Sequence, residues 1–221
     1  MLPKIICTIG PSSFYFTTLK KMKKNGMDIA RINTKYGNPK QWEKMIQNLR
    51  KLNVDILIDI KSLKYLDWVK KIKPDYIAVS FAETVSQIRQ VKLENVKIIA
   101  KIESIKGVKN SLNLINSSHG VMVARGDLSK AVSLEKVPAI QKEILLRCNK
   151  KNKFGIIATE MLLSMVKNKQ PTNAEVSDVF IAILSGAKAV MLSEETAIGK
   201  NPTLSVFWMN KIIKEAKKTK I

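Results

Sequence analysis

The sequence predicts an α/β fold: a (β/α)8 barrel forming a single domain over residues 1–221. Three observations predict it. Short runs rich in Ile, Val and Ala begin near Lys4, Asp28, Asp55, Tyr76, Lys97, Gly120, Phe154 and Ala189. Segments of helical period separate most of these runs, and alternation of strand and helix implies parallel strands. Each run also ends in polar or charged residues. Eight such units in 221 residues favour a closed TIM barrel over an open sheet, and such barrels carry their active sites at the carboxyl ends of the strands.

Taken in order, the first run, KIICTI, ends at Thr8 and Gly10. A helix is expected over 14–25, closed by Gly26. The second run ends at Arg31 and Asn33, and Pro39 opens the helix WEKMIQNLRKL. The third ends at Asp59 and Lys61. The link after it, LKYLDWVKKIKP, is the shortest crossover and carries the weakest helical pattern. The fourth ends at Ser80, before a helix over 85–92. The fifth ends at Lys101 and Glu103, before a helix over 108–115. The sixth ends at Arg125 and Asp127, before a helix over 136–151. The seventh ends at Thr159 and Glu160, before a helix over 174–184 closed by Gly186. The eighth ends at Ser193 and Glu195, and Pro202 opens the last helix. Pro at the start and Gly just past the end punctuate helices as their backbones require.

The stretch KIIAKIESIKGVKNSLNLINSSHGVMVARGDLS organises the rest. If its two strands are parallel neighbours, Lys101, Glu103, Arg125 and Asp127 gather at one sheet end. Hard divalent metals take one or two such carboxylates, with substrate and water completing the shell. Lys101 and Arg125 would then hold a phosphate or carboxylate beside the metal. The plainer alternative is a pair of surface salt bridges beyond two buried strands.

Composition narrows the function classes. The formal charge is +21, which invites a nucleic-acid role. Yet the cations are 34 Lys and 5 Arg, spread over nearly every expected helix rather than gathered in a stripe. Nucleic-acid readers lean on the forked Arg contact, so solvated helix faces explain the charge better. No apolar run approaches the 18 or more residues of a membrane span. The opening MLPKIICTIG lacks the pattern of a secretory leader. Cys7 and Cys148 form no CxxC pair and are expected to be reduced packing residues, so a cytoplasmic location is expected. There is no GxGxxG and no GxxxxGK[ST] loop. The single histidine, His119, precedes the sixth strand at the opposite end from the site, so no triad can be built on it.

The strand ends KIICTIGPSS, GMDIARIN, DYIAVSF, KIIAKIES, VMVARGDL, IIATEMLLSM, PTNAEVSDV and AVMLSEETAIGKNP resemble the pyruvate kinase family, in order and over essentially the whole chain. The resemblance implies a site for phosphoenolpyruvate, Mg²⁺ (or Mn²⁺) and a monovalent cation, and a nucleoside diphosphate as phosphoryl acceptor. It implies that Arg31 and Lys101 bind the transferring phosphoryl group, with Lys101 also stabilising the enolate. It implies Glu103 and Asp127 as metal ligands. The backbone of Gly126 and Asp127, with Thr159, would hold the substrate carboxylate, and Thr159 also lies near the proton-donating region. Asn33 and Asp59 would line the K⁺ site. Glu195 matches the family's acidic residue of the eighth block.

Departures from the pattern shape the expectation. Only residues 61–74 separate the third strand from the fourth, so the family's lid domain is expected to be absent, and its carboxy-terminal regulatory domain is likewise expected to be absent. Lys35 replaces a serine cation ligand, Tyr36 a histidine and Ile60 a threonine ligand. Two readings of Lys35 stand: its ammonium turns inward and replaces K⁺, or it points to solvent and the site is lost. Three functions follow: phosphoryl transfer to a nucleoside diphosphate, metal-dependent lyase, decarboxylase or aldolase chemistry through pyruvate enolate, or a non-catalytic barrel that binds a phosphorylated metabolite. A homo-oligomer is left open.

Overall fold

The computed structural model describes residues 2–34 and 36–219 of the chain. Eight parallel strands close in sequence order: β1 (Lys4–Ile9), β2 (Met27–Asn33), β3 (Asp55–Ile60), β4 (Tyr76–Val79), β5 (Lys97–Ile102), β6 (Gly120–Ala124), β7 (Phe154–Ala158) and β8 (Ala189–Leu192), with β8 pairing back to β1. The (β/α)8 expectation is met strand for strand; only β2 begins one residue early.

Period-two alternation builds two layers from each strand. Inward side chains such as Ile6, Ile29, Leu57, Tyr76, Ile99, Met122, Ile156 and Met191 fill the barrel. Outward ones such as Cys7, Ile32, Ile58, Ile77, Ala100, Val121, Ile157 and Val190 pack beneath the helices. Because the fill stops below the carboxyl ends, the next inward residue of a strand is polar: Thr8, Arg31, Asp59 and Lys101 are all buried there. Gly120 marks a close approach at the other end, where an added Cβ would sit 2.1 Å from the Phe154 carbonyl oxygen.

The ring of helices comprises α1 (Phe16–Lys24), α2 (Pro39–Lys51), α3 (Leu66–Ile72), α4 (Val85–Gln90), α5 (Ile105–Lys109), α6 (Ser111–Ser117), α7 (Arg125–Ala131), α8 (Val137–Lys150), α9 (Asn173–Leu184), α10 (Glu194–Ala197) and α11 (Pro202–Lys218). Asn38, Thr84 and Thr172 open α2, α4 and α9 with reciprocal capping boxes to Gln41, Gln87 and Glu175. The single helix expected over 108–115 is two, meeting at Asn110, because Ser104 caps an earlier start by accepting from the Gly107 N–H. The short helices α7 and α10, which follow β6 and β8 directly, were not expected from the periodicity.

The weak link after β3 is ordered by aromatic packing. Trp42 of α2 is buried and meets Tyr65 edge-on at 5.4 Å and Trp68 at 5.2 Å between ring centroids. The Trp42 indole N–H donates to the Tyr36 carbonyl oxygen. A 3-10 turn over Leu63–Tyr65 and the α3 helix therefore span the whole crossover, and no domain is inserted there. Among the described residues no helix is long and apolar enough to cross a membrane. Both cysteines are free and buried; burial pushes the Cys148 thiol up to about 11 and the Cys7 thiol well above its ordinary range.

Candidate active site

The carboxyl ends of the strands surround a cavity of about 360 Å³. Arg31, Asn33, Lys101, Glu103, Gly126, Asp127 and Thr159 all line it. Asp59 lies fully buried against it. Lys35 falls outside the described residues.

Four ionised groups from three strands form the floor. The Arg31 Nε and Nη2 donate to one Asp59 oxygen, at 2.9 and 2.7 Å. The Arg31 Nη1 donates to Thr8 Oγ1 at 2.9 Å. The Lys101 ammonium lies 3.0 Å from Asp59 and 3.0 Å from Glu103, and donates to Ser80 Oγ at 3.0 Å. Ser80 in turn donates to the second Asp59 oxygen at 3.0 Å. Two cations thus face two carboxylates, and the set is formally neutral. Burial alone would raise the Asp59 pKa; Lys101 and then Arg31 outweigh it and hold the carboxyl far below the usual range. Register explains the gathering: Thr8 pairs with Arg31 and Asn33 with Asp59, so inward residues of neighbouring strands share a level.

Glu103 and Asp127 face the same cavity with different surroundings. Glu103 is buried, with Lys101 on one oxygen and the Phe81 N–H on the other at 2.7 Å. Asp127, in the first turn of α7, is half exposed and pairs with Lys130 at 3.1 Å. Among the described residues no three His, Cys, Asp or Glu side chains converge as a ready cage. Two carboxylates at an open mouth are the oxygen donor set that a hydrated Mg²⁺ accepts, so the residues fit such an ion.

Arg125 is the correction. Its expected role beside Lys101 as an anion holder is not what the structure shows. Its guanidinium donates to the Thr159 carbonyl at 3.1 and 2.8 Å, to the Glu160 carbonyl at 2.8 Å, and to Asp178 of α9 at 2.6 Å. Thr159 and Glu160 have φ of 71° and 54°, a left-handed conformation that costs a β-branched residue energy. The Arg125 fork fastens that turn, and Thr159 Oγ1 accepts the Gly126 N–H at 2.8 Å. Arg125 is thus a brace between β6, β7 and α9, and its charge is already matched.

Strand-end polarity had flagged Thr8, Ser80, Ser193 and Glu195 without giving the first three a role. Thr8 and Ser80 bridge the ionised floor. Glu195 is fully buried; burial raises its pKa although the Leu162 and Ser193 N–H groups donate to it at 3.0 and 2.7 Å. Ser193 Oγ, on the cavity wall, is the buried side-chain polar atom without a partner among the described residues. Phe81, whose backbone N–H holds Glu103, carried no sequence signal, because a main-chain donor is available at any residue but proline. Ile60 packs in the outer apolar layer.

Residues 2–61 and 57–206 match the family described as pyruvate kinase, barrel domain. The chain is 38% identical over 220 residues to a pyruvate kinase of Dictyostelium discoideum, covering 96% of this chain and 42% of that protein. It is 36% identical over 223 residues to the cytosolic isozyme of pyruvate kinase from Nicotiana tabacum, covering 97% and 43%. It is 42% identical over 176 residues to a pyruvate kinase of Trypanoplasma borreli, covering 78% and 35%. The chain spans less than half the length of these relatives.

Proposed function

The chain belongs to the pyruvate kinase family, and from that premise we propose that it transfers the phosphoryl group of phosphoenolpyruvate to a nucleoside diphosphate. The observation that carries the reading is the buried ionised floor, with Arg31 and Lys101 both paired to Asp59 and Glu103 and Asp127 beside them at one mouth. Phosphoryl transfer relies on positioning and on cations aimed at developing charge rather than on covalent catalysis.

In this proposal Arg31 and Lys101 receive the phosphoryl oxygens. Lys101 faces the oxygen on which enolate charge develops. The backbone of Gly126 and Asp127, with Thr159, orients the substrate carboxylate. Glu103 and Asp127 hold Mg²⁺ or Mn²⁺, which when bound neutralises phosphoryl charge. Asn33 and Asp59 mark the monovalent-cation position. Asp59 keeps Arg31 and Lys101 oriented before substrate arrives, so little rearrangement is needed on binding. We assign the residues 1–221 to one barrel domain and a cytoplasmic location on the same reading.

The test is a lactate-coupled assay of the purified protein with ADP, phosphoenolpyruvate and Mg²⁺, alongside Mn²⁺ binding followed by electron paramagnetic resonance. ADP-dependent pyruvate formation is expected. Asp127→Asn is expected to weaken Mn²⁺ binding at least tenfold while leaving the fold intact, because Asp127 is half exposed. Unchanged Mn²⁺ binding in that variant would overturn the metal assignment. The short crossover after β3, which leaves the mouth uncovered, favours one second reading: metal-dependent decarboxylation through the same enolate. Oxaloacetate decarboxylation well above the metal-only rate, with no nucleotide requirement, would select it. Phosphoenolpyruvate binding without turnover of either substrate would select a non-catalytic barrel.

A further inference from the structure

At the opposite end of the barrel a second cavity, of about 460 Å³, opens between α4, the start of β5 and the end of α6. This volume lies within the range of small-molecule sites, roughly 300–1,000 Å³. Its floor is apolar, formed by side chains such as Ile88 and Val96. Its ionisable side chains are all basic: Arg89 in the last turn of α4, Lys92 after it, Lys97 at the head of β5, and His119 before β6, with Ser117 and Ser118 beside them. No Asp or Glu lines it; Glu94, on the same loop, lines the neighbouring cavity instead. Among the described residues none of these four side chains takes part in an ion pair.

Two members of the rim, His119 and Lys97, are positioned by contacts with neighbouring strands. The His119 N–H donates to the Ile98 carbonyl, and the His119 carbonyl accepts from the Phe154 N–H. Its ring packs against Tyr76 and Phe154, at 6.1 and 6.0 Å between centroids. The Lys97 ammonium sits over the Tyr76 ring, 5.2 Å from its centroid. Lys4, Lys153 and Lys188 stand around the same end from β1, β7 and β8. Lys4 is matched by Asp55 at 2.8 Å, whereas Lys153 bonds the carbonyls of Asn116 and Ser118, and Lys188 bonds Asn152. The other carboxylates there, Asp28 and Asp75, accept the Ile5 and Ile56 N–H groups. The field at this end is therefore positive. Partial burial, then Lys97, Lys153, Lys188 and Lys4, lower the His119 pKa. An anion placed here would offset that repulsion.

We propose that this cavity binds a small organic anion with an apolar body, an aryl or short-chain phosphate or carboxylate, its body on the Ile88 and Val96 floor and its charge held by Arg89, Lys92, Lys97 and His119. A free inorganic anion would leave the floor unused, and a neutral apolar molecule would leave the rim unmatched.

His119 is the only histidine of the chain, so its imidazole resonances report this cavity without assignment ambiguity. The probe is phenyl phosphate, titrated into the purified protein by NMR and calorimetry. A saturable His119 shift with Kd below about 1 mM is expected, with the His119 pKa rising on saturation. Inorganic phosphate is expected to bind at least tenfold more weakly. The double variant Arg89→Ala, Lys92→Ala, both exposed positions, is expected to lose at least tenfold in affinity. The control double variant Lys20→Ala, Lys24→Ala on α1 removes the same charge and is expected to bind as the parent does. The Lys101→Met variant is expected to keep the His119 shift, because the mouth is a separate site. The proposal is overturned by a non-saturating shift, by equal shifts from phenyl and inorganic phosphate, or by equal losses in the two double variants.

Discussion

Asp59 decides the state of the other ionised groups at the mouth. It takes both cations of the floor at hydrogen-bonding distance while itself fully buried. Asp59→Asn would leave Arg31 and Lys101 without their shared counter-charge. Breaking a buried pair from one side costs about 3–5 kcal/mol, so that loss is expected in urea denaturation at pH 7. The sign with pH follows from the lowered pKa: the folded form keeps the carboxylate where the unfolded chain, with a pKa of about 3.9, would take up a proton. The parent's extra stability is present above about pH 4 and is lost as the pH falls below it toward the folded pKa, while the Asn variant should show a flatter acid limb. Lys101 has a different signature. A cation aimed at developing charge acts on the transition state more than on binding. Lys101→Met is expected to lower kcat by roughly 100-fold or more with a small change in KM. A pure KM effect would demote Lys101 to an anchor. Because Met leaves the buried Glu103 without its cation while Asp59 keeps Arg31, Lys101→Arg serves as the charge-retaining control.

At the scale of the elements, the strands were legible because alternation forces every second side chain inward, and the barrel fill is apolar until the mouth. Polar residues at eight strand ends therefore marked the site directly. The directions of long side chains were not legible. Arg125 and Lys101 both end strands, yet Lys101 points to the mouth and Arg125 turns to the β7 turn and α9. What separates them is the helix that begins at Arg125 itself, which removes it from strand geometry. The crossover after β3 was equally hard to read, because its order comes from Trp42, Tyr65 and Trp68, contacts between segments rather than a period within one. The brace carries a prediction. Lys has no planar fork with which to bridge two carbonyls and a carboxylate at once. Arg125→Lys is expected to release the Thr159–Glu160 turn and lower kcat/KM by tenfold or more. The loss in melting temperature should be only a few degrees, since the strands keep their packing. Unchanged kinetics would show that the turn holds its left-handed shape without the fork.

For the whole molecule, the decisive feature is an uncovered mouth on a strongly basic barrel. Closing an active site excludes water, strengthens its electrostatics and adds contacts to the second substrate. Here the crossover from β3 to β4 contains only a 3-10 turn and α3, so nothing from that link folds over the cavity. Besides Arg31 and Lys101, the cations among the residues that line the cavity are Lys61 and Lys130, both flexible point charges. Lys130 is already paired with Asp127. Such groups attract a diphosphate through charge and do not read a base. If the proposed phosphoryl transfer holds, the KM for ADP should be high, in the millimolar range at physiological salt, and should rise steeply with ionic strength over about one Debye length of screening. ADP, GDP and CDP should differ by less than about threefold in kcat/KM, since point charges on the cavity wall act on the phosphates common to all three. Lys61→Ala should raise KM for all three diphosphates alike and leave the phosphoenolpyruvate KM nearly unchanged. A KM for ADP in the low micromolar range, or a preference of a hundredfold among the diphosphates, would contradict this and would mean that another segment or a partner covers the mouth during turnover.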